Sequence, residues 1–361
     1  MTFSLKERRM QTRWKQRPPG SNWGEFGPDD ERGRLNWVTP EKVRQGVAEV
    51  HEGKTFMLSL PLDYPGGNVL NPRRHPPRRF ATRRSGGAND GAQNFVYSTS
   101  RDNPMHTDVV CDDMVLLTLQ YSTQWDTFAH VGSHFDADAD GHAEPVFYNG
   151  WRGGEDIVPA SVNPSAEPWA QYEGPQAKRL GLENMATHGV QGRGVMIDLH
   201  AHFGRERRAV GYDDLMRVLE ADRVQIERGD MVCLHTGFAQ VLLEMKKQPD
   251  PQLIHHTCSG LDGRDDRLLQ WISDSGLAVL IADNYAVELI PTSLFQPVPH
   301  ASLPLHAHCL FKNGIHLGEM WYLSALAQWL RTHQRQRFLL TAPPLHLPGA
   351  VGSPATPIAT V

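Results

Sequence analysis

The chain has 361 residues, 40% hydrophobic and 21% charged, and its 36 Lys and Arg against 41 Asp and Glu give a net charge of -5. That balance argues against a basic nucleic-acid-binding domain, and 9 Trp, 13 Phe and 8 Tyr in a chain this long argue against disorder. Histidines number 18 and cysteines only 4, so imidazole and carboxylate are the metal-binding chemistry on offer.

Met1 to Gly20 are charged and lack an apolar segment, so they do not read as a secretory signal. No run approaches the roughly 18 apolar residues that span a membrane. The expectation is a cytoplasmic protein with no membrane or nucleic-acid partner. Residues 1–54 read as an N-terminal arm ending in a first helix, with Thr39 as its cap and Pro40 as its first residue. Residues 55–361 read as one catalytic domain. Thr55 to Leu60 alternates like a strand. Residues 71–104, rich in Arg, Pro, Gly and Asn, form a loop-rich insertion without periodicity, either a functional lid or arm or a disordered insertion.

Met114 to Tyr121 reads as a strand. The short apolar runs Val195–Leu199, Met231–His235, Leu277–Ala282 and Phe338–Thr341 predict strands buried on both faces. Helical patterns fall at Tyr212–Ala221, Phe238–Lys247, Arg264–Ser275 and Met320–Arg331. Strands alternating with helices predict an α/β fold. Cys111, Cys233, Cys258 and Cys309 form no CxxC pair and read as buried small hydrophobes in a reducing compartment.

Two segments carry the chemistry. The first, Thr123 to His142, holds Gln124, Asp126, His130, His134, Asp136, Asp138, Asp140 and His142 just after the Met114–Tyr121 strand, and α/β sites gather at strand ends. Asp136, Asp138, Asp140 and Gly141 imitate an EF-hand opening. Position twelve is Phe147 instead of Glu, however, and Pro145 blocks the exiting helix. The second segment, Leu303-Pro304-Leu305-His306 through Gly314 to Glu319, supplies an imidazole and an acid, the latter read as a first-turn acid of the last helix. His235 closes a buried strand and is a candidate substrate contact. Arg205 to Arg208 reads as a solvated loop, with a substrate-carboxylate clamp as the lesser alternative. No G-x-S-x-G elbow anchors a serine hydrolase, and Gly189 to Gly194 precedes a strand, so it is no dinucleotide fingerprint.

These segments resemble the cyclase family of metal-dependent hydrolases, which includes bacterial kynurenine formamidases and isatin hydrolases. The family pattern H-x-G-T-H-x-D-x-P-x-H fits in two registers. In the first, running from Gln120 to His130, Thr123, Asp126 and His130 match while Gln120 and Gln124 stand for histidines. In the second, His130, Gly132, His134 and Asp136 match the opening. The first is preferred because it keeps the acid/base histidine and the following Tyr148-Asn149-Gly150. Trp23-Gly24, Asp30, Gly33, Asn36 and Thr39-Pro40-Glu41 are similar to the family's opening, and His306, Gly314 and Glu319 to its distal segment.

The resemblance implies a single α/β catalytic domain of the swivelling β/β/α type with an N-terminal arm, and assembly as a homodimer or homotetramer. It implies Zn2+ or Mn2+ held by Asp126, His306 and Glu319, with Gln124 a weak fourth ligand, or by His134 and Asp136 in the second register. His130 would be the proton carrier, and Trp125 and Phe128 either walls for a flat small-molecule substrate or core residues. The implied activity is hydrolysis of an amide, imide or lactone. The alternative is a degenerate relative that binds metal or ligand without turnover, because two motif histidines are glutamines.

Overall fold

Thr39 caps the first helix as its sequence predicts: its hydroxyl accepts the Lys42 amide at 3.4 Å, and Pro40 opens α1 (Pro40–Ala48). The computed structural model describes residues 13–84, 93–165, 172–290 and 299–361. Among them nine short strands form one mixed sheet. These are β1 (Thr55–Met57), β2 (Gln124–Asp126), β3 (Gln191–Asp198), β4 (Met231–His235), β5 (Val279–Ala282), β6 (His316–Glu319), β7 (Arg337–Thr341), β8 (Gly352–Pro354) and β9 (Ile358–Thr360). The order across the sheet is β1-β9-β7-β3-β4-β5-β6-β2-β8. β3 to β6 are mutually parallel, and every other pairing is antiparallel.

The parallel centre is buried on both faces, which is why it carries the apolar runs Val195–Ile197, Met231–Leu234 and Val279–Ala282. In β4, Val232 and Leu234 enter one core cluster while Met231 and Cys233 enter the other. The amphipathic helices α2 (Tyr212–Ala221) and α4 (Asp266–Asp274) lay Leu215, Val218, Leu268 and Ile272 on the first cluster. Asp265 starts α4 by accepting the Arg267 and Leu268 amides. Between them lies α3 (Phe238–Glu244), and α5 (Ser324–Thr332) covers the second cluster with Leu326, Ala327 and Leu330.

Four expectations need correction. Within Met114–Tyr121 only residues up to Leu116 are extended. They belong to Asp113–Leu116, which pairs with Arg78–Ala81 in a hairpin off the sheet, with Met114 and Val115 exposed. An apolar run signals strand propensity, but sheet membership depends on partners distant in sequence. The insertion is therefore partly ordered: besides that hairpin, Tyr97–Ser98 pairs with Val109–Val110, while residues 85–92 lie outside the described residues. The last helix starts at Ser324, so Glu319 is a strand residue and no helix acid. Cys111 is exposed, while the other three cysteines are buried.

The N-terminal segment folds back onto its own chain. Trp23 is fully buried, donates to the Phe311 carbonyl at 2.8 Å and meets Trp14, Phe135 and Phe311 edge-on. The Asn149 side chain accepts the Gly24 amide at 2.9 Å and donates to the carbonyls of Gly27, Pro28 and Asp30. Trp14 and Trp23 thus pack inside the chain. Gly33, at φ 53°, lies so near Gly314 that a Cβ would sit 2.2 Å from the Gly314 carbonyl oxygen.

α1 is tied to the sheet by a buried ion cluster. Asp230, fully buried, accepts from Lys42 Nζ at 3.0 Å and from two Arg193 nitrogens at 2.9 and 3.0 Å. Neutralising the acid would leave two buried cations with only the half-exposed Glu227. We expect Asp230→Asn to lose about 3–5 kcal/mol of stability in urea unfolding. A loss below about 1 kcal/mol, the value of an exposed pair, would show that the cluster does not hold α1 in place.

Candidate functional site

The antiparallel register of β2 and β6 builds the site. Asp126 pairs with Leu317, Trp125 with Gly318 and Gln124 with Glu319. Because side chains alternate along a strand, Gln124, Asp126 and Glu319 share one face and Trp125 takes the other. All three polar side chains are buried. The Gln124 amide nitrogen is 3.1 Å from Glu319 Oε2 and 3.3 Å from Asp126 Oδ1.

His306 enters from the short helical turn Pro304–His306. Its Nε2 lies 3.1 Å from Glu319 Oε1 and its Nδ1 2.7 Å from Glu288 Oε1. Glu288, also buried, accepts the Leu305 and His306 amides at 3.1 Å, which fixes the turn that presents the imidazole. The backbone that delivers these acids is strained: Ala286, Val287 and Met320, none of them glycine, take φ of 81°, 57° and 56°.

The charges are out of balance. Burial alone would depress His306, but hydrogen bonds to Glu288 and Glu319 outweigh it and push the imidazole up to about 10. Burial raises the Asp126 carboxyl, and repulsion from Glu319 adds to this against the pull of His130. Glu319 is also penalised by burial, yet its bond to His306 carries it below the usual carboxylate range.

This donor set fits a divalent cation. Ligand atoms of Asp126, His306 and Glu319 all lie within 4.8 Å of one another. Gln124 Oε1 is buried without a hydrogen-bond partner, and turning the amide over would aim that oxygen among the carboxylates. Two carboxylates, an imidazole and an amide oxygen suit Zn2+ or Mn2+. Glu288 on Nδ1–H leaves the Nε2 lone pair for a metal, as in carboxylate–histidine–metal arrangements.

A cavity of about 740 Å3 opens onto this centre, with His130, His306 and Glu319 in its wall. His130 Nε2 is 3.9 Å from Asp126 Oδ1, and its side chain is 22% exposed. The fold therefore brings together Gln124, Asp126, His130, His306 and Glu319, although 195 positions separate Gln124 from Glu319.

Other candidates lie elsewhere. Trp125 is fully buried in the second core cluster, against Trp321. Phe128, equally buried, stacks on His316 at 3.9 Å between ring centroids. Neither lines the cavity, so the aromatic substrate walls expected of them are absent there. His235 Nδ1 is 2.8 Å from Asp198, and its Nε2 lies 3.1 Å from the Ser324 hydroxyl and 4.0 Å from Asp283. Burial opposes its charge, but the bond to Asp198 and the field of Asp283 raise it. Two flanking carboxylates thus favour the doubly protonated ring, and His235 lies outside the cavity wall that holds His130, His306 and Glu319.

His134 is exposed on the hairpin strand Ser133–Phe135, and Asp136 accepts the Asp140 and Gly141 amides. Asp138 and Glu144 face Arg152. Strands flank this acidic turn, in keeping with the rejection of an EF-hand. Arg205 and Arg208 are paired with Glu244 and Asp214, while Arg207 donates to the His255 and Ile290 carbonyls, so two of the three arginines considered for a clamp are already neutralised. Sequence reasoning missed Glu288, which no motif marks.

The cyclase family model matches residues 56–289. A crystal structure described as a novel cyclase is 31% identical, with a TM-score of 0.69, covering 94% of this chain and 99% of its own. Isatin hydrolase A from Labrenzia aggregata, bound to benzyl benzoate, shares the fold at 13% identity and TM-score 0.51, covering 88% and 98%. Isatin hydrolase A from Ralstonia solanacearum does so at 14% and 0.50, covering 89% and 98%. No curated protein matches the chain in sequence. The family match spans most of the β2–β5 region, and the 31% identical structure extends the likeness over both halves of the site; the chain belongs to the cyclase family.

Proposed function

We propose that this protein is a metal-dependent hydrolase that opens an amide, imide or lactone bond of a small molecule. The observation that carries the reading is the convergence of Asp126, His306 and Glu319 on one point, two of them, His306 and Glu319, lining the cavity. Zn2+ or Mn2+ would be held by those three residues, with the Gln124 oxygen as a weak fourth donor. When bound, the ion supplies Lewis acidity toward a carbonyl oxygen and makes water a better nucleophile at neutral pH.

The remaining work falls to the chain. Asp126 and Glu319 offer negative charge in a water-poor setting, and Glu288 orients His306 through Nδ1. His130 is open to the cavity and near Asp126, where it can take a proton from attacking water and return it to the leaving atom. The rival reading, ligand binding without turnover, is favoured by Gln120 and Gln124 standing where the family motif has imidazoles. Metal content together with a turnover screen of aryl formamides, cyclic imides and lactones separates the two.

Three outcomes test this reading. Asp126→Ala should lower the bound metal, by elemental analysis, to less than about a tenth of wild type. Normal metal content and activity would sink the assignment and revive His134 and Asp136. Glu288→Gln should weaken metal about 10–100-fold in competition with a chelator while the fold is retained. His130→Ala should cut kcat/KM on amides by about 100–10,000-fold, and less on lactones whose enolate leaves without a strong acid. An unchanged rate and pH profile would exclude His130 as the proton carrier.

We also propose that the chain forms a homodimer or homotetramer. Support comes from the hairpin excursion, which exposes Phe80, Phe95, Val96, Met105, Val109, Met114 and Val115, with Val96 70% and Met105 84% exposed. Sedimentation should give an oligomer that Val96→Asp with Met114→Glu dissociates. A wild-type monomer would refute this. No helix among the described residues is long and apolar enough to cross a membrane.

A further inference from the structure

The cavity wall is unusually rich in arginine. Arg73 and Arg74 reach it from the start of the insertion, and Arg264 from the loop before α4. Among the described residues lining this cavity, Glu319 is the one acid, and it belongs to the metal centre. Arg74 donates one guanidinium nitrogen to the Gln120 carbonyl at 2.8 Å and lies over the Tyr285 ring, 5.6 Å from its centroid. A guanidinium has five N–H donors, so most of its fork is uncommitted to these contacts. Its field already favours the ionised forms of Asp126 and Glu319. A cation bound by those acids would leave the cavity as a whole positive. Apolar surface from Tyr285, Ile290 and Leu303 lines the same space.

Elsewhere two of the three arginines considered for anion recognition are neutralised: Arg205 and Arg208 hold Glu244 and Asp214. Among the described residues, Arg73 and Arg74 have no carboxylate within ion-pair distance of this kind. Their recorded side-chain partners are the Asn71 side-chain oxygen and the Gln120 carbonyl. Arginine recognises a carboxylate by two parallel hydrogen bonds, which supply orientation as well as affinity.

We infer that the substrate carries a carboxylate besides its scissile bond, held by Arg73 and Arg74, with an apolar body against Tyr285, Ile290 and Leu303. That it is a substrate rests on the hydrolase reading above; that the cavity selects an anion does not. A volume of about 740 Å3 suits a small molecule of this kind. Neutral amides and lactones would then bind more weakly than carboxylate-bearing ones, a difference seen in KM more than in kcat.

The test uses benzoate and uncharged benzamide as probes, titrated calorimetrically into zinc-loaded and chelator-treated protein. Wild type should bind benzoate about 10–100-fold more tightly than benzamide, less so as salt rises. Arg73→Met combined with Arg74→Met should bring that preference below about twofold, and the paired Lys variants should keep part of it. Thermal melts of each variant check the fold. No preference in wild type, or a preference that survives in the Met pair, overturns the inference, the latter placing the anion on the ion itself. A preference lost with the arginines in a protein that turns over neither amides nor lactones would uphold the anion site and sink the hydrolase reading. Efficient turnover with equal KM for neutral and carboxylate-bearing substrates would do the reverse.

Discussion

Three buried carboxylates, those of Asp126, Glu319 and Glu288, converge on a single imidazole. Even with His306 fully protonated the charges do not cancel, and burying an uncompensated charge is among the most costly things a fold can do. The surroundings offset part of this. Backbone amides of Leu305 and His306 point at Glu288, the Gln124 amide nitrogen bridges the other two acids, and Arg74 contributes from the cavity side. These are partial remedies. A site that gathers so much negative charge and leaves an amide oxygen unpartnered is shaped around a cation, and the strained turns at Ala286–Val287 and Met320 hold it in that shape.

The family motifs divide into residues that do chemistry and residues that hold the frame. Asp126, His306 and Glu319 form the centre. Asn149 and Trp23 never approach it: the asparagine organises the turn after Trp23, and the tryptophan plugs the core beneath Phe311. Gly314 has a similar duty, since the backbone of Gly33 lies where a side chain would go. A sequence pattern alone makes no such distinction, because a residue that fixes geometry is as indispensable as one that binds.

Much of the scaffold was legible in the chain. Met231–His235 and Tyr212–Ala221 read from periodicity with the bounds they have in the fold, because burial on two faces and amphipathicity leave clear patterns. The site's own strand was not. Gln124–Asp126 is three residues long, two of them polar, and is extended only because β6 and β8 flank it. Glu319 read as a helix acid because the apolar residues after it continue a helical period. Met320 instead turns left-handed and postpones the helix to Ser324. Trp125 and Phe128 resembled substrate walls because they flank Asp126. Trp125 alternates with the site residues along β2, and Phe128 lies beyond the strand in the core cluster. Glu288 was invisible, since its role comes from a turn that folds 18 positions back onto His306.

The placement of β2 has a consequence for how the protein is made. Its two neighbours in the sheet, β6 and β8, are both encoded near the C-terminal end, the second at Gly352–Pro354. During synthesis the segment bearing Asp126 emerges long before either neighbour exists. It must wait with both edges unpaired while β3, β4 and β5 can already associate through their local crossovers. Pairing across 195 positions is slow to nucleate, so the centre would be the last part of the molecule to close. Until then the nascent chain would offer a bare strand edge to chaperones or to other copies of itself. Without Gly352–Pro354 the strand bearing Asp126 would keep β6 as its single sheet neighbour.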